Sequence, residues 1–289
     1  MFKNIYFLKN EKLSKYSTIN IGGKAKYIVF PRCVDELKQA VDIAKQNEIK
    51  FFILGNGSNV LFDDNGFDGA VICLKKMKQI SRCQNKVVVS AGISLFELNF
   101  KLKEMGLTGL EWSFGIPATI GGFVYMNGGC FGHEICEFVD EVEILKDDKI
   151  ELVKKEGIGF GYRHSNLDGV IVGVTLNLAF DESTNIWEKM NIAINEKRKK
   201  QPCDKFSLGS VFKQIHKKGE VIYPAKMIDS MGLKGVKIGG AEISTKHAGF
   251  FVNTGNATSS DYKALITFVK DKLADRGVFV ESEIVIVES

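Results

Sequence analysis

Proline is scarce, four in 289 residues, and no low-complexity segment or internal repeat interrupts the chain. With 45% hydrophobic residues the chain can bury a core, so disorder and collagen-like structure are excluded. Excess charge is missing as well. The 39 Lys and Arg stand against 35 Asp and Glu, and a net +4 is too small to mark a nucleic-acid partner. No apolar run approaches the about 20 residues of a membrane helix, and the start MFKNIYFLKNEK has no signal-peptide core or cleavage site. A cytoplasmic protein without membrane association is expected. The six cysteines form no CxxC pair and the four histidines no HExxH, so free thiols and no metal are expected. The sequons at Asn56 and Asn256 are then chance matches.

What is present is a patterning that mixes short strands with helices, at a length of about two domains. Val34, Leu37, Val41 and Ala44 recur at helical spacing, and FFIL at 51–54 reads as a strand running into the glycine turn GNGSN. Further strands are predicted near 70–74, 86–90, 138–146, 149–153 and 170–180. A helix opens at Ser94 with Glu97 three residues on and closes at Gly106. The stretch 109–132 is dense in glycine and shows neither a strand nor a helix period. Helices are also predicted at about 184–199, from Pro224, and at about 259–275 behind Thr258, Ser259, Ser260 and Asp261. The ending VFVESEIVIV at 278–287, apolar on both faces, reads as a central strand carrying Glu281 and Glu283.

Several segments have the residue types that carry chemistry. In LGNGSNVLF at 54–62, Gly55 and Gly57 permit a nest of N–H groups around a phosphate, but the stretch equally reads as an ordinary turn. It lacks the third glycine and the following helix of a dinucleotide fingerprint. The loops GIPATIGG at 115–122 and NGGCFG at 127–132 carry the same two readings, ligand approach or tight crossing. Ser210 in SLGSVFK follows Gly209 but has no second glycine, so a serine-hydrolase elbow is poorly matched. Glu283 reads as a salt-bridge partner or as a catalytic or substrate-ordering carboxylate. Arg163 in FGYRHSNL reads as a surface residue or as a carboxylate clamp.

The order of TINIGG, LGNGSNVLF, GLEWSFGIPATIGG, YRHS, GSVFK, GGAEIS, HAGFFVNTGNAT and VESE resembles the UDP-N-acetylenolpyruvoylglucosamine reductase family from end to end. The resemblance implies a two-subdomain FAD-binding module of the vanillyl-alcohol-oxidase type over 1–183, with subdomains at about 1–75 and 76–183. A C-terminal α+β substrate domain would occupy 184–289. It places a non-covalent flavin pyrophosphate on Gly55, Asn56, Gly57, Ser58 and Asn59, with Gly115, Ile116, Thr119, Gly121 and Gly122 around the cofactor. Tyr162, Tyr125, Lys200, Lys213, Gln214 and Asn253 become candidates for substrate or phosphate contacts.

By the same resemblance, NADPH delivers a hydride to the flavin, which passes it to the enolpyruvyl ether of UDP-N-acetylglucosamine and yields UDP-N-acetylmuramate for peptidoglycan. Ser210 is implied as the proton donor, with Arg163 and Glu283 at the substrate carboxylate. Ala118, Gly129, Cys130, Phe131, Gln214 and Ile215 depart from residues common in the family. Two rival readings remain at this stage, a flavin oxidase of the same superfamily acting on another alcohol or sugar, and a non-redox UDP-sugar protein. The oligomeric state is left open.

Overall fold

The computed structural model describes residue 2, residues 4–217 and residues 220–289. The chain forms two compact units, one of 1–9, 27–56 and 69–196, the other of 10–26, 57–68 and 197–289. Strands Phe7–Lys12, Lys24–Val29 and Phe67–Cys73 each run from one unit into the other along the chain. The helix Ser183–Lys200 does the same at its last turn.

In the first unit a five-stranded antiparallel sheet has the order Lys149–Lys154, Val139–Lys146, Val170–Asn177, Lys86–Ser90, Ile80–Cys83. Val170–Asn177 is central because VIVGVTL is buried on both faces, whereas the charged KIELVK is an exposed edge. Asp147 and Asp148 join the first pair through two left-handed residues, φ +44° and +62°, the geometry of a tight hairpin turn that Asp tolerates. Val142, Val174 and Leu176 are buried in one core cluster with Leu98 and Leu102 of the helix Leu95–Glu104 and with Ile120 and Val124. Ser94 caps that helix by accepting the Glu97 N–H at 3.1 Å, and Gly106 follows it at φ +64°.

The sequence shows no period over 109–132, yet Ile120–Tyr125 is a helix. It spans under two turns and has two glycines near its start, so local propensity cannot announce it, and burial of Ile120, Phe123 and Val124 holds it.

In the second unit the sheet order is Phe206–Ser210, Phe250–Asn253, Ala241–Ile243, Lys237–Ile238, antiparallel throughout. The helix Ser259–Ala274 lays Tyr262, Leu265, Ile266, Val269 and Leu273 into the core with Leu208, Ile243 and Phe251. Thr258 and Asp261 form a reciprocal cap at its start.

The expected central strand over 278–287 is a correction. Only Val285–Val287 is a strand, paired in parallel with Val60–Phe62. The residues before it bond elsewhere: Phe212 and Ser282 form an isolated bridge, the Lys213 N–H donates to Glu281 O, and the Glu283 N–H donates to Val211 O. Phe279 is 80% exposed and Glu281 also faces solvent, so no buried pair of carboxylates arises there. All six cysteines are free thiols. Among the described residues no helix is long and apolar enough to cross a membrane, and no group of three or more His, Cys, Asp or Glu is placed to hold a metal.

Candidate active site

The turn after strand Phe51–Leu54 is forced to be glycine at two places. A Cβ on Gly55 would come within 2.3 Å of Thr119 Oγ1, and one on Gly57, at φ +63°, within 2.2 Å of the Tyr16 carbonyl oxygen. The turn is fixed from both ends. In the first unit Asn56 donates its side-chain amide to Pro117 O at 2.8 Å. In the second, Gly57 O accepts from the Thr18 N–H at 3.1 Å and the Ser17 hydroxyl at 3.3 Å, while the Ser17 hydroxyl is also 3.2 Å from Val60 O.

Among the described residues, no protein acceptor takes the main-chain N–H of Asn56, Gly57, Ser58 or Asn59. Successive amide donors without protein acceptors, in a turn shaped by glycine, fit an anionic diphosphate such as that of FAD. The loop 115–122 is different. The N–H groups of Ile116, Ala118, Ile120 and Gly121 are spent on Ser113, Ile116, Ile93 and Ala91 carbonyls. Gly121 is packed so closely on Ala91 that a Cβ there would meet Ala91 Cβ at 2.6 Å. Gly115 has φ +86°, and buried Thr119 aims its hydroxyl at Gly55. The structure therefore brings Gly55, Asn56, Thr119 and the 115–122 loop together.

Elsewhere in the first unit, Arg163 occupies a tight turn in which Gly161 and His164 exchange main-chain hydrogen bonds of 3.0 and 3.1 Å. Its φ of +55° is left-handed, a conformation costing a non-glycine residue about 1 kcal/mol that the surrounding structure must hold. The guanidinium donates from Nη2 to Gly129 O at 3.1 Å, pairs through Nη1 with Glu134 at 3.5 Å and lies 4.8 Å from the centre of the Tyr162 ring. Tyr125 is half exposed, and its carbonyl accepts the Ser165 hydroxyl at 2.8 Å.

In the second unit, Ser210 ends the strand Phe206–Ser210 just after Gly209, whose φ of +78° accompanies a register shift against the strand Phe250–Asn253. The next residue, Val211, donates to Gly249 O at 2.9 Å and accepts from the Glu283 N–H at 2.8 Å. Asn59 donates its carboxamide to Glu283 O at 2.9 Å. Glu283 is thus tied by its main chain to the Asn59 side chain and to Val211, next to Ser210. Lys213 pairs with Glu281 at 3.3 Å, and Gln214 follows it. Lys200 is the exposed last residue of its helix.

Asn253 is buried, and its side chain is spent internally. Nδ2 donates to Ile19 O at 3.0 Å, and Oδ1 accepts from Gly255 and Ala257 at 2.8 and 3.0 Å.

Four residues escaped the sequence reading. Thr18 donates its hydroxyl to Ser207 O at 2.7 Å as well as holding Gly57, and Ser17 works beside it. TINIGG, which begins at Thr18, was the available signal for Thr18, and Ser17 directly precedes it. Asn127 and Glu134 support Arg163. Asn127 opens the NGG loop, whereas nothing local marked Glu134.

Comparison with known proteins follows the same lines. The FAD binding domain family matches residues 25–150, and the family described as the UDP-N-acetylenolpyruvoylglucosamine reductase C-terminal domain matches residues 201–287. The UDP-N-acetylenolpyruvoylglucosamine reductase of Thermotoga petrophila is 42% identical over 278 residues, 95% of this chain and 96% of the relative. The protein of the same name from Caldicellulosiruptor saccharolyticus is 39% identical over 288 residues, 97% and 92% of the two chains. Among solved structures, the UDP-N-acetylenolpyruvylglucosamine reductase of Thermus caldophilus matches with a TM-score of 0.82 at 31% identity, over 98% of each chain.

Proposed function

The chain belongs to the UDP-N-acetylenolpyruvoylglucosamine reductase family, and from that membership we propose how its residues divide the reaction. It is an FAD-containing oxidoreductase that reduces the enolpyruvyl ether of UDP-N-acetylglucosamine to UDP-N-acetylmuramate for peptidoglycan synthesis, with NADPH as reductant. The match over nearly the whole chain favours this activity over the flavin-oxidase and non-redox readings.

The amides of Asn56, Gly57, Ser58 and Asn59 hold the FAD diphosphate, with Gly55, Gly115, Ile116, Thr119, Gly121 and Gly122 around the cofactor. Bound FAD supplies the two-electron transfer from NADPH to the vinyl methylene carbon. As that carbon gains hydride, negative charge grows on the α carbon and its carboxylate. The Arg163 fork suits a carboxylate through paired N–H donors, and Glu283 lies beside that carboxylate as a second group to order it. Ser210 gives its hydroxyl proton to the α carbon, a strong base in that state, so a weak acid held in position suffices. Tyr125, Tyr162, Lys200, Lys213 and Gln214 contact the nucleotide sugar, and Asn253 acts through the loop it organises. Residues 184–289 serve the substrate, and 1–183 serve the cofactor while also lending Tyr125, Tyr162 and Arg163 to the substrate.

The observation that carries this reading is the run of four main-chain donors at 56–59 without protein acceptors, in the motif where the family resemblance places the diphosphate. The test is the visible spectrum of the purified protein under anaerobic conditions. A flavin spectrum bleached by NADPH and restored by the enolpyruvyl substrate is expected. Colourless protein that takes up no added FAD would contradict it.

A further inference from the structure

An arginine that grips a reacting carboxylate is useful only if its fork points in one direction, and the long arginine side chain has many rotamers when unrestrained. The surroundings of Arg163 supply that restraint in layers. Gly129 O holds Nη2 at 3.1 Å and Glu134 holds Nη1 at 3.5 Å. Glu134 is itself held: its carboxylate accepts the Glu137 N–H and, at 2.9 Å, the Asn127 side-chain amide.

Asn127 links two parts of this assembly. Its Nδ2 donates both to Glu134 Oε2 and, also at 2.9 Å, to Gly161 O at the base of the turn that carries Tyr162 and Arg163. Its Oδ1 accepts the Cys136 N–H at 3.2 Å. Asn127 is 1% exposed, so it cannot touch a substrate. It also adopts φ +40°, a second left-handed non-glycine residue in the same assembly.

We infer that Asn127 and Glu134 are positioning residues that act on the reaction only through Arg163, with Asn127 locking both the carboxylate that orients the guanidinium and the turn from which it extends. The inference rests on the assignment of Arg163 to the substrate carboxylate.

The experiment is a double-mutant cycle on the holoenzyme, reading the two half-reactions separately by stopped-flow absorbance. Glu134→Ala and Asn127→Ser are each expected to slow flavin reoxidation by the enolpyruvyl substrate about 10- to 30-fold, within the range of coupled contacts, and to leave flavin reduction by NADPH unchanged. Glu134→Gln, which keeps an acceptor for the guanidinium, should recover most of the rate. In an Arg163→Ala background, adding Glu134→Ala should cost less than about 2-fold, because the group it orients is gone. Should Asn127→Ser not fold, the three Glu134 and Arg163 variants still close the cycle.

An undiminished further loss in the Arg163→Ala background overturns the inference, since Glu134 then acts independently. Normal reoxidation in Glu134→Ala and Asn127→Ser, with Arg163→Ala slow, overturns it while sparing the role of Arg163. Normal reoxidation in Arg163→Ala itself overturns both.

Discussion

The Asn59 side chain donates to the main-chain carbonyl of Glu283 at 2.9 Å, and the Val285 N–H returns a hydrogen bond of 3.0 Å to Asn59 O. The last residue of the glycine turn is therefore stitched to the segment 283–285 by two bonds, one to Glu283 and one from Val285. Because the Glu283 N–H is bonded in turn to Val211 O, the stitch extends to the residue after Ser210. Asn59 and the main chains of Glu283 and of Val211, next to Ser210, share one hydrogen-bonded frame in the second unit.

Asn59→Ala removes the side-chain half of that stitch and leaves Glu283 O without it. A half-buried hydrogen bond of this kind contributes about 1 kcal/mol. The expected result is a lower melting temperature, FAD affinity reduced about 3- to 10-fold, and slower flavin reoxidation by substrate. Fluorescence titration with FAD and stopped-flow absorbance measure these effects, and wild-type values in both would dissolve the proposed frame.

Gly57→Ala tests whether the turn needs glycine for its shape. The new methyl group would meet Tyr16 O at 2.2 Å, in a residue already at φ +63°. Left-handed strain alone costs roughly 1 kcal/mol, and the clash adds to it. Purified protein should retain little flavin and unfold at lower denaturant concentration. Full flavin occupancy in this variant would show that the turn can shift without losing the cofactor.

Asp64 supplies a pH-dependent contribution to stability. Its carboxylate accepts the N–H groups of Ser259 and Ser260 at 2.7 and 3.0 Å, at the start of the helix Ser259–Ala274. Partial burial pushes the carboxyl pKa up, but these donors outweigh it and hold it below the usual aspartate value of 3.8. A carboxyl whose pKa is lowered by folding stabilises the native state above the unfolded value and loses that contribution as pH falls through the folded one. Asp64→Ala should cost about 1 kcal/mol near neutral pH, as removal of a helix cap does, and progressively less as pH falls below the unfolded value. Urea unfolding of both proteins across this range measures the difference, and a gap independent of pH would contradict the assignment.

Local patterns made much of the fold legible. Val34, Leu37, Val41 and Ala44 announced the helix Val34–Gln46, and Ser94 and Thr258 marked helix starts that the structure shows capped. The ending 278–287 misled because alternation reports which residues can form a strand, not which partner is in register. Before Val285 its main-chain bonds go to Leu273 and to 211–213 in irregular pairing.

The candidate site was legible where glycine itself carries the information, as at Gly55 and Gly57. Glu134 was invisible because its bond to Arg163 joins distant positions through a loop. The recruitment of 10–26 and 57–68 into the second unit is non-local in the same way.

The proton assigned to Ser210 gives the most direct test of the account. Ser210→Ala, with flavin bound, should be reduced by NADPH at close to the wild-type rate, while reoxidation of the reduced flavin by the enolpyruvyl substrate slows by about three orders of magnitude or more, the scale of a lost general acid. Equal slowing of both half-reactions, or unimpaired reoxidation, would contradict it.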